Sequence, residues 1–145
     1  MKNLLIPLLL LLFTCNNSLN AQSDFIWEPI GLTLTGNNVY QGVEAYYRLT
    51  ECNGEYSIIL KFVNTKNQKI RLDWEDAIFT NNQEWVTNIN DSGVKSLIIY
   101  PNSEISCSCS QPIEELFVKI REFIPDVEDF FKYRTVSFKI DFIEE

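Results

Sequence analysis

The sequence has no histidine, which removes every mechanism that relies on imidazole as proton acceptor, shuttle or metal ligand. Cationic side chains are also scarce. Twelve Lys and Arg face twenty Asp and Glu, for a net charge of −8. Such a balance cannot neutralise a run of phosphates, so nucleic acid is not an expected partner. Five Gly and five Pro in 145 residues are too few for a linker or a collagen. The longest apolar run, Leu4 to Phe13, is too short to span a bilayer. There is no Gly-rich phosphate loop, no nucleophile elbow and no zinc-ligand spacing. What is present is a 46% hydrophobic, 13% aromatic composition, enough to build one sizeable core.

The N-terminus reads as an address. Met1-Lys2-Asn3 is a short basic start, Leu4 to Phe13 is apolar, and Thr14 to Ala21 is polar and ends in a small residue. This is the pattern of a secretory signal peptide over residues 1–21, cut between Ala21 and Gln22. The mature chain, residues 22–145, is then one domain. Lys2 is the only charged residue in the leader, so its removal makes the balance one unit more acidic. The expected location is secreted or periplasmic, without a membrane span. Cys15 supplies an alternative, because it sits where a bacterial lipoprotein carries its lipidated cysteine. Leu12-Phe13-Thr14 departs from the small residues preferred there. A retained, lipidated Cys15 would make this a lipid-anchored envelope protein.

Turn-forming residues punctuate the mature chain at short intervals, among them Gly36-Asn37-Asn38, Asn53-Gly54, Asn64 to Asn67, Asn81-Asn82, Asn90-Asp91-Ser92-Gly93 and Pro101-Asn102. Between them lie runs rich in β-branched and aromatic residues, many alternating with period two. They are Val43 to Leu49, Tyr56 to Val63, Ile70 to Trp74, Val94 to Tyr100, Ile105 to Cys109, Leu116 to Ile120 and Val136 to Phe142. Strands with one apolar face each need cover, so this number of them predicts a two-layer antiparallel β-sandwich. Asn53-Gly54 suits a two-residue type I′ turn, which pairs the strands ending at Cys52 and starting at Glu55. Residues 112–124 fit helical as well as strand spacing. The reading adopted is a strand to about Phe123, followed by a short helix from Pro125 to Lys132 whose Asp126, Glu128 and Asp129 complement its N-terminal dipole.

Leu60-Lys61-Phe62-Val63-Asn64 followed by Ile70-Arg71-Leu72-Asp73-Trp74 resembles the strand–loop–strand of many immunoglobulin-like domains, where an apolar strand ends in Asn before a short polar loop. The leader ending Asn20-Ala21-Gln22 resembles those of secreted proteins of the Bacteroidota. Together these imply an immunoglobulin-like sandwich of the small exported kind, and no activity. Antibody-type domains also pair a Trp with two widely separated Cys, and Cys52, Trp74 and Cys107 supply those residue types.

Three groups of residues could carry chemistry. An exported chain favours a disulfide, here Cys52 with Cys107 or with Cys109. Cys107 and Cys109 share a face if their segment is a strand, so only one of them meets Cys52. The functional alternative is a redox or Cu(I) site at Cys107-Ser108-Cys109, although nothing basic adjoins it to lower a thiol pKa. Asp73, Glu75 and Asp76 flank Trp74 at an expected strand end. They are candidates for Ca²⁺ ligation or for a pair of glycosidase carboxylates, against the plainer reading of a solvated strand end. Trp27 and Trp85, with Tyr46 and Tyr47, are candidates for stacking on sugar rings, whereas Trp74 falls in phase with Ile70 and Leu72 and is expected in the core. Asn90-Asp91-Ser92 is read as a turn.

The function these features imply is an exported, non-enzymatic sandwich module that acts by surface contact on a protein or glycan partner, with no cofactor. The alternatives are a carbohydrate-binding module, a thiol- or copper-handling protein, and a small carboxylate-based hydrolase.

Overall fold

A computed structural model describes residues 26–88 and 93–144. The leader, its cleavage point, Cys15 and the Asn90-Asp91-Ser92 turn lie outside these residues. Ten strand segments occur in order: β1 (Glu28–Pro29), β2 (Val39–Tyr40), β3 (Val43–Cys52), β4 (Glu55–Asn64), β5 (Ile70–Thr80), β6 (Trp85–Thr87), β7 (Lys95–Ile99), β8 (Ser103–Ser106), β9 (Phe117–Lys119) and β10 (Phe130–Phe142). They form two antiparallel sheets. In sheet one, β3 and β4 lie at the centre, β1 and β2 line the free side of β3, and β8 and β9 line the free side of β4. In sheet two, β5 runs down the middle with β10 on one side and β6 and β7 on the other. The expected two-layer sandwich is therefore the fold. The chain changes sheet between β4 and β5, between β7 and β8, and between β9 and β10.

Alternation supplies the core. Val43, Ala45 and Tyr47 of β3, Ile58, Leu60 and Phe62 of β4, and Ile70, Leu72, Trp74 and Ile78 of β5 point between the sheets and are buried. Trp74 packs on Phe62 with ring centroids 4.9 Å apart. Each such side chain removed from water contributes roughly 1.5–3 kcal/mol. Ser57, Ile58, Ile59 and Leu60 are all buried, so β4 is covered on both faces at that point, as its continuous apolar run predicts. Asn53 (φ 54°) and Gly54 (φ 80°) form the expected tight turn, with Cys52 opposite Glu55.

Asn64 ends β4 for a reason. It is fully buried; its amide donates to the carbonyls of Gln68 (2.8 Å) and Tyr100 (3.0 Å), and its side-chain oxygen accepts from the Lys66 N–H (3.0 Å). One side chain thus satisfies the backbone of the loop that carries the chain from sheet one to sheet two.

Three boundaries differ from the sequence reading. The helix expected from Pro125 to Lys132 is a single 3-10 turn, Val127–Asp129, whose start is capped by Asp126 accepting from the Glu128 N–H (2.9 Å). Phe130 to Lys132 already belong to β10, because pairing with β5 outweighs one turn of helix. The strand expected over residues 105–109 stops at Ser106, which leaves Cys107 and Cys109 in a loop. Residues 112–124 contain both periods: 3-10 turns at Glu114–Leu116 and Ile120–Glu122 flank the short β9. A bulge in β10 also separates Val136 from Lys139, with Ser137 at φ 53°. The extra residue reverses the alternation. Tyr133 and Thr135 face inward before it, and Phe138 faces inward after it, stacked on Phe62 at 6.2 Å.

Candidate functional site

The three acids beside Trp74 do not converge. They lie in the middle of β5 and not at a strand end, so alternation sends them to opposite faces. Asp73 points outward and is held 2.9 Å from the Arg71 guanidinium, whose hydrogen bond keeps the carboxyl below the usual carboxylate range. Glu75 lies opposite Val136 on the same outer face. Asp76 points inward, in phase with Trp74 and Ile78, and is buried.

Asp76 is the centre of a buried polar cluster. One carboxylate oxygen accepts from the Trp74 indole N–H (3.1 Å) and from the Tyr133 hydroxyl, and the other lies 2.6 Å from the Lys95 ammonium. Burial, and then the negative charge of Asp76, push the Tyr133 hydroxyl well above the ordinary tyrosine pKa. Thr135, directly across from Asp76 on β10, has a buried hydroxyl with no hydrogen-bond partner among the described residues. Asp76 and Lys95 reach a cleft of about 390 Å³ whose other wall includes Phe117 and Val118 of β9. The cluster therefore plugs the gap between the sheet edges. Its carboxylate is occupied on both oxygens, an arrangement suited to holding the two sheets in place.

Of the two pairings left open for Cys52, the structure contains Cys52–Cys109, with Cα atoms 5.3 Å apart. Both ends belong to sheet one or its adjoining loop. The antibody arrangement of an inter-sheet bridge beside a core Trp is therefore absent from this pairing. Cys107 is the unpaired cysteine among the described residues; it is buried, its thiol donates to the Leu116 carbonyl at 3.6 Å, and burial pushes its pKa up. With Cys109 consumed by the bridge, Cys107-Ser108-Cys109 is not a dithiol, and Cys107 has the character of an inert thiol. Among the described residues no group of three or more Cys, Asp or Glu side chains is placed to hold a metal ion.

The tryptophans separate into three environments. Trp74 is in the core, as expected. Trp27 is half-buried on the outer face of sheet one, with the Arg48 guanidinium 4.8 Å and the Lys61 ammonium 4.7 Å from its ring centre. Trp85 stays 42% exposed on the outer face of sheet two. Its ring lies 4.7 Å from Phe79, which in turn meets Phe131 edge-on at 5.8 Å. The Arg134 guanidinium sits 5.1 Å and the Lys132 ammonium 5.8 Å from the Trp85 ring centre. Trp85, Phe131, Lys132 and Arg134 border a groove of about 610 Å³ that is also lined by the loop carrying Thr33, Leu34 and Thr35. Tyr47 reaches the same groove and donates to Glu28 (2.7 Å), while Tyr46, its neighbour on β3, donates to Glu44 (2.7 Å) on the outer face of sheet one.

Sequence reasoning named Trp85 but missed Phe131, Lys132 and Arg134. The signal was there, because Lys132 and Arg134 are two apart and so share a strand face. It was hidden by assigning Phe130 to Lys132 to a helix.

Compared with known proteins, the chain matches no family model, no curated protein and no solved structure.

Proposed function

We propose that the protein is an exported, non-enzymatic β-sandwich module that acts by surface contact, and that its contact face is the groove beside Trp85. The observation that carries this reading is the uncovered aromatic shelf of Trp85 and Phe131, 42% and 59% exposed, bordering the largest groove described above. Aromatic area of that kind left open to water beside a concave surface is characteristic of a contact site. The Cys52–Cys109 bridge supports export, since such cross-links persist in oxidising compartments. No helix among the described residues is long and apolar enough to cross a membrane. The candidate acids support a binding role over hydrolysis: Asp73 is engaged by Arg71 and Asp76 by Lys95, which leaves neither poised as a free general acid or base.

The test is a titration of the mature protein with a panel of surface polymers and extracellular peptides, reading tryptophan emission against a Trp85→Phe reference. A saturable change in the native protein that is lost in the variant is the expected result. Turnover of any panel compound that disappears on Asp76→Asn would replace this reading with a hydrolase. If no panel member perturbs Trp85, the groove is not the contact face.

A further inference from the structure

We propose that the Trp85 groove takes an acidic polysaccharide, a chain of sugar rings carrying spaced carboxylates as in a polyuronate. The inference rests on the contact-face reading above and names the ligand class for it.

Strand register places the groups. Lys132, Phe79 and Trp85 form one rank across β10, β5 and β6, and Arg134, Ala77 and Thr87 form the next. Two cations thus stand on one face, both over the same indole. Among the described residues neither has a carboxylate within ion-pair distance, which is also true of Lys66, Lys69 and the Arg48 and Lys61 pair at Trp27, whereas Arg71, Lys95, Lys119, Arg121 and Lys139 all do. Of the unpaired cations, Lys132 and Arg134 are the ones that line the groove. In a chain with twenty acids and twelve bases, an unneutralised pair of this kind is a local reversal of sign, and an anion placed between them relieves their mutual repulsion.

The form of the cations favours carboxylate. Arg134 lies over the indole, and its Nε donates to the Thr135 carbonyl (3.4 Å). That fixes the plane of the guanidinium and leaves its terminal N–H groups to meet a planar, two-oxygen acceptor. Lys132 adds a point charge beside it.

The rest of the groove favours sugar. Phe131 is 59% exposed and Leu34 is fully exposed, and both line the groove, so it offers two apolar surfaces to the flat faces of sugar rings. Thr33 and Thr35 supply hydroxyls, and the Glu28 carboxylate supplies an acceptor. The cavity, about 610 Å³, lies within the roughly 300–1,000 Å³ of small-ligand sites. A dense polyanion such as nucleic acid would meet the protein's overall negative charge and Glu28 at close range. A polyuronate carries a single charge per ring beside neutral hydroxyls, so a carboxylate can meet Lys132 and Arg134 while hydroxyls meet Glu28, Thr33 and Thr35.

The experiment is affinity electrophoresis of the mature protein through gels containing polygalacturonate, its fully methyl-esterified form, or poly-glutamate. Binding to polygalacturonate, weakened by salt, and much weaker binding to the ester are expected. Trp85→Ala and the Lys132→Gln/Arg134→Gln pair should each weaken binding about tenfold or more, the order of magnitude of a lost charge-assisted contact. Arg134→Lys, which keeps charge but not the fork, should fall between. These positions face solvent, and circular dichroism on each variant confirms that the fold is retained. Equal affinity for acid and ester, still dependent on Trp85, would overturn the acidic class while leaving the contact face in place. Poly-glutamate binding as tightly as polygalacturonate would overturn the sugar class in favour of an acidic peptide. Absence of binding to all three would overturn the inference, and the broader emission titration would then decide the contact face independently.

Discussion

The Lys95 ammonium lies 2.6 Å from Asp76, on the opposite carboxylate oxygen from the one shared by Tyr133 and Trp74. Lys95 pairs with Trp74 across β7 and β5, so this ion pair runs diagonally from one strand to the next and seals the edge of the sandwich. Its partners are mostly buried, with 20% and 8% of the side chains exposed. Lys95→Met leaves a buried carboxylate without its counter-charge and should cost about 3–5 kcal/mol in urea denaturation. Asp76→Asn should cost less, because Lys95 can turn to water and the amide oxygen still accepts from Tyr133 and Trp74. The double variant should lose less than the sum of the two. Additive losses would mean that the pair is not a unit.

Alkali should attack the same cluster from its tyrosine side. Tyr133 and Tyr47 both titrate above the ordinary tyrosine value, chiefly because burial disfavours the phenolate. A group whose folded pKa is raised contributes stability that is fully present below its unfolded pKa, about 10 for tyrosine, and lost as pH rises above it. The melting temperature should therefore be flat on this account at neutral pH and fall beyond about pH 10. In Tyr133→Phe the curve should start lower and fall less steeply there. An identical slope in the variant would show that Tyr133 is not responsible.

The Cys52–Cys109 bridge spans 57 residues, and removing it as Cys52→Ala/Cys109→Ala should cost about 4 kcal/mol in the chain-entropy account. Of Cys52, Cys107 and Cys109, none should react with a thiol reagent in the folded protein. Cys107 alone should react after denaturation without reductant. Two or more thiols released at that step would contradict the pairing.

Turn and core residues give a paired contrast. Gly54→Ala, at φ 80°, should cost about 1–2 kcal/mol by forcing a Cβ into left-handed backbone. Trp74→Ala, with no exposed area, should cost about 3–5 kcal/mol, while Trp85→Ala should stay within about 1 kcal/mol. Chemical denaturation of the three variants checks the order.

The sandwich was legible in the sequence because most strands have one wet and one dry face, and period-two alternation records that directly. Asn53-Gly54 was legible for a local reason, since both residue types accept positive φ. The matching Gln41-Gly42 turn between β2 and β3, at φ 50° and 80°, went unread because Gln is not a usual left-handed residue and only its tertiary setting holds it there. The bulge at Ser137 was hidden in the same way. It makes Val136 look in phase with Phe138, although the two face opposite sides. The site was harder still. Asp73, Glu75 and Asp76 are neighbours in sequence, yet a strand separates neighbours, and two of the three partners of Asp76, Lys95 and Tyr133, come from β7 and β10. Trp85 was visible as an aromatic residue, but the cations stacked on it are some fifty positions away in the chain.

The loop between β8 and β9 has a consequence for the life of the protein outside an oxidising environment. Cys52 is in phase with Arg48 on the outward side of β3, and Cys109 ties the loop down there; Ser57 and Ile59, on the outward side of β4, are buried although that side faces away from the other sheet. The loop's Cys109 and Ile113 pack against the buried cluster that includes Ile59, so the loop is a flap stapled over apolar surface. Cutting the staple with a mild reductant lets the flap peel before the two layers part, so an intact sandwich would turn sticky, and clumping would set in at temperatures where the β-sheet signal is still at full strength.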